Sequence, residues 1–381
     1  MEFVKASKIV TFKTGKLDSN AAVEGGKYPF FTCSQTTYEI NSYAFDTECV
    51  LLAGNNASAI FPLKYYKGKF NAYQRTYVIE PIDATRLTIK YLYFFLRPFL
   101  KSFEQQATGA TTKFLTIKIL NNVDVALPKF EIQQKIAAIL SAYDDLIENN
   151  KRRIALLEKM AEEIYREWFV RLRFPRHEKV KVVKGVPEGW EEKRFGAFCL
   201  LQRGHDLPDS KVEPGPYPVA ASTSIKTYHN QFKAKPPVIT TGRSGSLGTV
   251  LFINEKTWPL NTCLYVKDFC GNSCYLIYYT LKNMGLENFN AGAGVPTLNR
   301  NHLNGIPLVV PPKALQDRFD AVIAPIFKQQ EALLKQNSNL TQTRDSLLPR
   351  LISGKLSVEN LDIQFPPGME GNLTPPILPL C

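Results

Sequence analysis

Two stretches of the chain repeat apolar residues at steps of three and four. From Ile132 the first runs through Ile136, Ile139, Tyr143, Leu146, Asn150, Ile154, Leu157, Ala161, Ile164 and Trp168. The second runs through Phe319, Val322, Ile326, Gln330, Leu333, Asn337, Leu340, Arg344, Leu347 and Leu351. Such spacing is the seam of a coiled coil. The consecutive four-residue steps from Leu146 to Asn150 to Ile154 predict a stutter, which unwinds the supercoil locally. Asn150 and Asn337, polar within the seams, would fix register at some cost in stability. Pro325 predicts a kink near the start of the second helix and Gly354 a stop after its end. Each helix would be about 36 to 40 residues, or roughly 55–60 Å at ~1.5 Å per residue. Neither can bury its stripe alone, so the two are expected to pack on each other.

The rest of the chain reads as mixed α/β. Apolar runs of strand length, YPFF, CVLLA, TYVIE, PPVITT and TVLFI, lie between turn-rich stretches. A short amphipathic helix fits Ile89 to Gln105, with a counterpart at Ser273 to Lys282.

An internal repeat orders these elements. Pro128, Gln133, Lys135 and Ile136 match Pro311, Gln316, Arg318 and Phe319 at an offset of 183. The same offset aligns Gly109 with Gly292, Leu115 with Leu298, Leu120 with Leu303, and Leu157 with Leu340. Further upstream, with small insertions, KYPFFTCSQTTY aligns with PYPVAASTSIKTY, VLLAGNN with VITTGRS, FNAYQRTYVI with LNTCLYVKDF and YLYFFL with LIYYTL. A repeated unit implies a repeated fold. The predicted boundaries are a first globular domain over residues 1–128, a long helix over 129–170 and a linker over 171–190. A second globular domain over 191–312, a second long helix over 313–353 and a flexible tail over 354–381 complete the chain.

Composition narrows the function. With 381 residues, 44% hydrophobic and 22% charged, the chain has room for two or three packed domains. It has no apolar run of membrane-spanning length and no signal-like start, so a cytoplasmic location is expected. Seven cysteines, an odd number, read as free thiols. The net charge of +12 is uneven: Lys and Arg exceed Asp and Glu by 16 to 10 over residues 1–130 and by 19 to 10 over 171–315. The segments between and after them are slightly acidic. Basic blocks interleaved with Tyr, Asn, Gln, Ser and Thr can neutralise phosphates and still read base edges. Catalytic signatures are missing from the sequence: no phosphate-binding GxxxxGK[ST] loop, no dinucleotide GxGxxG and no Asn/Asp-Pro-Pro-aromatic motif of base methylation. Cys263, Cys270 and Cys274 have no usual zinc spacing, and the four histidines lie singly.

Several segments together carry a family resemblance. They are the paired LPKFEIQQKI and VPPKALQDRF, then EEIYREWFVRLRFP, GVPEGWEEKRFG, VITTGRSGSLGTVLF with Asn261 following, GAGVPTLN and the closing RDSLLPRLISGKLSV. In this order the chain resembles the specificity subunit of type I restriction-modification systems over nearly its whole length. The first globular part departs from the pattern, lacking a Pro-x-Gly-Trp start and carrying Asn55-Asn56 where the second has Arg243-Ser244. The resemblance implies two mixed α/β target-recognition domains in an internal repeat, separated by two long antiparallel coiled-coil helices, each domain reading one half of a bipartite, asymmetric double-stranded DNA site. It implies a non-catalytic chain that recruits two modification subunits, which methylate adenine with S-adenosylmethionine. Restriction subunits, ATP-dependent translocases and endonucleases that use ATP and magnesium, would join them.

Residue chemistry nominates the contacts. Asn and Gln can bond adenine bidentately, Arg guanine, and Lys phosphate. In the first domain the candidates are Ser34, Gln35, Thr36, Thr37 and Tyr38, then Asn55 and Asn56, Lys64, Lys67 and Lys69, and Gln74 and Arg75. In the second they are Ser222, Thr223, Lys226, Tyr228 and His229, then Arg243 and Ser244, and Asn299 and Arg300. The outer helix faces are where the modification subunits would dock. A rival reading is an internally duplicated protein-protein scaffold without sequence-specific DNA binding; a stand-alone methyltransferase or nuclease is opposed by the missing motifs.

Overall fold

A computed structural model describes residues 2–58, 60–109, 111–292 and 294–365. The chain divides into two compact units, Met1–Lys151 with Lys335–Cys381, and Arg152–Leu334. Both divisions fall inside long helices, Phe130–Tyr165 of 36 residues and Lys313–Ile352 of 40. No described helix is long and apolar enough to cross a membrane.

The first unit is built on a six-stranded sheet in the order Val10–Thr14, Thr76–Pro81, Phe45–Ala53, Leu63–Ala72, Tyr28–Phe31, Tyr38–Ile40. Neighbours are antiparallel except Tyr28–Phe31 beside Leu63–Ala72. Both faces of its centre are covered, which explains the continuous apolar run Cys49–Ala53 in place of strict alternation. Cys49 and Leu51 point into a small core with Phe31, Phe70 and Val78. Val50 and Leu52 point the other way, into the main core with Ile79 and the helix Ile89–Leu96. Thr88 caps that helix by accepting a bond from the Tyr91 amide at 3.2 Å. The main core also holds Ile136, Ala137 and Leu140 of the first long helix and Leu348, Leu351 and Ile352 of the second.

In the second unit, Leu200–Arg203, Cys263–Asp268, Val238–Gly242 and Val250–Ile253 form an antiparallel sheet in that order. A smaller sheet joins Ile225–His229, Tyr217–Ala220 and Trp258–Pro259. The helix Cys274–Asn283 is capped by Ser273, whose hydroxyl accepts from the Leu276 amide at 3.1 Å. Its core includes Ala161 and Tyr165 of the first long helix with Phe319, Ile323 and Ile326 of the second.

A buried glutamine at the start of each long helix serves its own unit in the same way. Gln133 donates to the Arg86 and Pro128 carbonyls at 2.8 and 2.9 Å and accepts from the Thr88 amide at 3.0 Å. Gln316 donates to Asn272 Oδ1 and the Pro311 carbonyl at 3.0 and 2.9 Å and accepts from the Ser273 amide at 2.8 Å. Each fixes the capping residue of the short helix against the long one.

The long helices are antiparallel within each unit. In the first, Asp144 pairs with Arg344 at 2.5 Å, and Asn150 donates to Asn337 at 2.9 Å. In the second, Phe319 meets Phe169 at a ring separation of 4.9 Å and Trp168 at 5.8 Å. The buried stripe differs from the predicted seam at several places. Leu146 is 49% exposed and Val322 41%, while the adjacent Ile147 and Ile323 are buried; Leu140 is more deeply buried than Ile139. The stripe therefore steps four and three in turn through 136, 140, 143, 147, 150 and 154, and the predicted stutter disappears. Two adjacent apolar residues leave the register open in sequence; the packing closes it.

Three other expectations change. The second helix runs unbroken through Pro325, because Ala321 and Pro325 lie on its exposed face, where water can take the bond that proline cannot donate. Residues 171–190 are folded rather than a plain linker: Phe174 is buried against Trp190, and Val182–Val183 pairs with Val186–Pro187 as a hairpin. After Gly354, at φ +72°, the predicted tail continues into the first unit, where Val358 is buried and Lys135 donates to the Glu359 carbonyl at 2.9 Å. Residues 366–381 of that tail lie outside the described residues.

Candidate nucleic-acid interface

In the first unit a polar cluster forms where four chain segments meet beside the sheet. The Gly54 amide donates to the Arg75 carbonyl at 2.7 Å, and the Leu115 amide to the Gly54 carbonyl at 2.9 Å. Asn55–Asn56 pairs with Lys113–Phe114. The loop after Phe31 is tied in by Cys33, whose thiol donates to the Arg75 carbonyl at 3.4 Å and whose own carbonyl accepts from Asn56 Nδ2 at 3.4 Å. Gly54 is required by space: a Cβ there would lie 2.5 Å from the Arg75 carbonyl oxygen and 3.0 Å from the Tyr77 ring.

This arrangement sorts the first domain's candidates. Gln35, Thr36, Thr37, Tyr38 and Arg75 are exposed, and Ser34 and Asn55 half-buried. The Arg75 guanidinium lies 5.7 Å from the centre of the Phe114 ring, which holds it at the surface. Lys64 donates to Thr37 Oγ1 at 3.1 Å and lies over Phe31; burial lowers its pKa from the usual lysine value. Asn56 is occupied, its Oδ1 accepting from the Ser58 amide and hydroxyl, and Gln74 donates to Asp18. The three lysines do not form one patch. Lys64 shares the face of Phe31, whereas Lys67 pairs with Glu48 at 3.5 Å on the opposite face and Lys69 lies over Tyr43. The period-two alternation of the strand separates Lys64 from Lys67.

The second unit brings its own candidates to a cleft of about 750 Å³. Arg203, Arg243 and Arg300 line it with Gln202, His205, Thr297 and Asn299, and among the described residues Asp206 is its only acidic side chain. The Arg243 amide donates to the Thr262 carbonyl at 2.9 Å and its carbonyl accepts from the Leu298 amide at 2.8 Å. Arg243 Nη1 donates to the Asn261 carbonyl at 3.3 Å, which aims the guanidinium along the cleft wall. Ser222 ties its loop in, with its hydroxyl 2.9 Å from the carbonyls of Ser244 and Thr262. Asn299 Oδ1 accepts from the Asn301 amide, and Arg300 reaches the Leu201 carbonyl at 3.5 Å. His205 is held below the usual histidine pKa by burial and then by Lys233, so it faces the cleft uncharged near neutral pH.

Not every candidate belongs to the surface. His229 is 4% exposed, its Nδ1 bonded to the Glu213 backbone at 3.1 Å and its ring edge-on to Trp258 at 5.2 Å. Alternation along Ile225–His229 sends Lys226 and Tyr228 outward and His229 inward, so the histidine is a core group and not a DNA contact. Lys226 is paired with Asp209 at 2.6 Å, while Thr223 is exposed. Sequence reasoning missed Gln202 and Arg203 of the strand Leu200–Arg203, His205 just after it, and Lys113 and Phe114, which pair with Asn55–Asn56. The Gly109 and Gly292 match of the repeat pointed to the loops beside these residues.

The bonds also correct the upstream alignment. Tyr73 accepts from the Thr76 amide and donates to Phe31, as Leu260 accepts from Cys263 and donates to Ala220. Tyr73 thus corresponds to Leu260 rather than Cys263, and Gly54, not Asn55, to Arg243. Among the described residues no group of His, Cys, Asp or Glu could hold a metal ion, and the six described cysteines are free.

Residues 1–159 and 187–343 match the family described as the type I restriction modification DNA specificity domain. The EcoDI type I restriction enzyme specificity subunit of Escherichia coli is 26% identical, over 93% of this chain and 88% of its own length. The MjaIX specificity subunit of Methanocaldococcus jannaschii is 27% identical, over 74% of this chain and 72% of its own. The fold is similar to the crystal structure of a type I restriction-modification S subunit from M. genitalium, at a TM-score of 0.63 and 18% identity, covering 92% of this chain and 95% of that one. With its profile matched across both units, the chain belongs to the type I restriction modification DNA specificity family.

Proposed function

We propose that the chain is the sequence-recognition subunit of a type I restriction-modification complex, in which each unit reads one half of a bipartite, asymmetric DNA site. The observation that carries this is the polar cluster built at the same bonded position in each unit, around Arg75 in one and Arg243 in the other, in a chain of this family. An exposed Arg75 and a half-buried Arg243, held at their ring and carbonyl neighbours, can present a planar fork to a guanine edge, and nearby Asn, Gln and Lys supply base and phosphate contacts. The different cations in the two clusters fit an asymmetric site.

The finer reading is an internal duplication with the long helices as an antiparallel coiled-coil spacer. It is supported by the matched roles of Gln133 and Gln316 and by the four-three stripe. The outer helix faces would dock two modification subunits, and restriction subunits would join them. Adenine methylation with S-adenosylmethionine and cleavage with ATP and magnesium belong to those partners, and the chain itself is non-catalytic and cytoplasmic. The domain boundaries of the sequence reading, 1–128 and 191–312 for the recognition domains, are kept as part of this proposal.

The test maps methylated adenines in DNA exposed to the assembled complex. The expected result is one asymmetric bipartite motif. Arg75→Ala should relax one position in one half and Arg243→Ala one position in the other, each by about 1–3 kcal/mol. Methylation without sequence preference, or DNA binding that ignores salt, would return the chain to the scaffold reading.

A further inference from the structure

We propose that the hairpin of residues 181–188 is a sequence-independent contact of the second unit with DNA phosphates; this rests on the DNA-recognition reading above. The segment is a built element. Phe174 packs on Trp190 at 5.6 Å and Trp190 on Phe169 at 6.0 Å, so the base of the segment is locked to the end of the first long helix. Lys184 and Gly185 make a two-residue turn with φ of +52° and +82°. That geometry suits asparagine or glycine at both positions, yet a lysine occupies the first. Leu172, Arg176 and Lys184 are three of the four non-glycine residues with positive φ among the described residues. Backbone held in this region gathers where a side chain must be presented in a set direction.

Charge gives the hairpin its partner. Residues 171–190 hold six Lys and Arg against two Glu. Arg171 and Arg173 are paired with Glu163 and Glu167 on the helix. Arg176, Lys179, Lys181 and Lys184 are exposed and form no ion pair among the described residues, while His177 lies 3.7 Å from Glu178. No Asn, Gln, Ser or Thr occurs between 171 and 190, so the segment lacks the amides and hydroxyls found in both recognition clusters. Flexible lysines without such groups bind phosphate and carry no base information. The exposed apolar groups at the tip are Val182 and Val183, far less than the ~800 Å² per partner of a stable protein interface. A phosphate contact needs one cation.

The test uses the full chain assembled with its modification subunits. Binding to a duplex of unrelated sequence is measured across a salt series for the wild type and for Lys179→Gln/Lys181→Gln/Lys184→Gln. The slope of log K against log salt should flatten by about 2–3, at ~0.9 per phosphate lost. The methylated motif should not change, and Lys→Arg replacements should retain the slope. Tryptophan fluorescence, to which Trp190 contributes, checks that the variant remains folded. An unchanged slope with an unchanged motif removes the hairpin from DNA and leaves the recognition reading intact. A variant that stays folded but no longer assembles with the modification subunits assigns the hairpin to protein, and an altered motif makes it a sequence reader; either overturns the proposal. A wild-type complex without sequence preference defeats the recognition reading itself.

Discussion

Gln133→Ala offers the sharpest test of how the first unit is held together. The side chain is fully buried, and its loss strands the Arg86 and Pro128 carbonyls and the Thr88 amide at the start of the helix Ile89–Leu96. A group left without a partner costs about 1–3 kcal/mol when buried, and water can reach the carbonyl of the exposed Arg86, so the loss should be roughly 2–4 kcal/mol. Gln133→Glu should be no better, because a carboxylate can accept from Thr88 but cannot donate to two carbonyls. All three tryptophans, Trp168, Trp190 and Trp258, lie in the second unit. Urea titration followed by tryptophan fluorescence therefore reports that unit, and circular dichroism reports both. Gln133→Ala should lower the part of the dichroism transition that fluorescence does not see, whereas Gln316→Ala should move the fluorescence transition. A loss below about 1 kcal/mol for either variant would refute the assignment of these glutamines as buried ties.

Four further outcomes follow from the same structure. Burial alone would raise the Glu80 carboxyl, but bonds from Lys13 and Thr47 outweigh it and hold the pKa below the usual value. Its stabilising effect is present above the ordinary glutamate range and lost as pH falls through the depressed value, so Glu80→Gln should flatten acid unfolding of the first unit followed by dichroism. A double-mutant cycle of Asn150→Ala and Asn337→Ala should show a coupling of about 0.5–1.5 kcal/mol in chemical denaturation; additive losses would deny the bond between them. His229→Ala should lower the fluorescence-detected stability of the second unit by about 1–3 kcal/mol and leave the methylated motif unchanged. Gly54→Arg should destabilise the first unit in thermal melting instead of adding a guanine preference, since its Cβ would strike the Arg75 carbonyl.

Much of the fold was legible because it depends on patterns longer than a few residues. The runs YPFF, CVLLA and TYVIE lie within strands Tyr28–Phe31, Phe45–Ala53 and Thr76–Pro81, and the two long helices begin within a few residues of the predicted points. What sequence could not decide were choices between neighbours. Leu146 or Ile147, and Val322 or Ile323, serve a seam equally well by hydropathy, and only the opposing surface selects one. The fold of residues 171–190 was hidden for another reason. Its Pro and Gly punctuation is that of a linker, while the Phe174 and Trp190 contact that folds it spans sixteen residues with no periodic signal between.

The candidate recognition residues were less legible, and the hydrogen bonds explain why. Aligning by glycine sets Gly54 against Gly242 and therefore Asn55 against Arg243. The bonds set Gly54 against Arg243, because Leu115 and Leu298, which do match in the repeat, donate to those two carbonyls. On the partner segment they set Arg75 against Thr262, since Gly54 and Arg243 donate to those. The arginine thus sits on a different one of the two bonded segments in each unit, while the bonded frame is the same in both. The first unit carries it on the acceptor segment, where Gly54 must stay bare to let the Arg75 carbonyl approach; the second carries it on the donor segment. One frame can therefore aim a guanidinium from either of two adjoining positions, and a difference in recognition between the units requires no change in the fold that holds them.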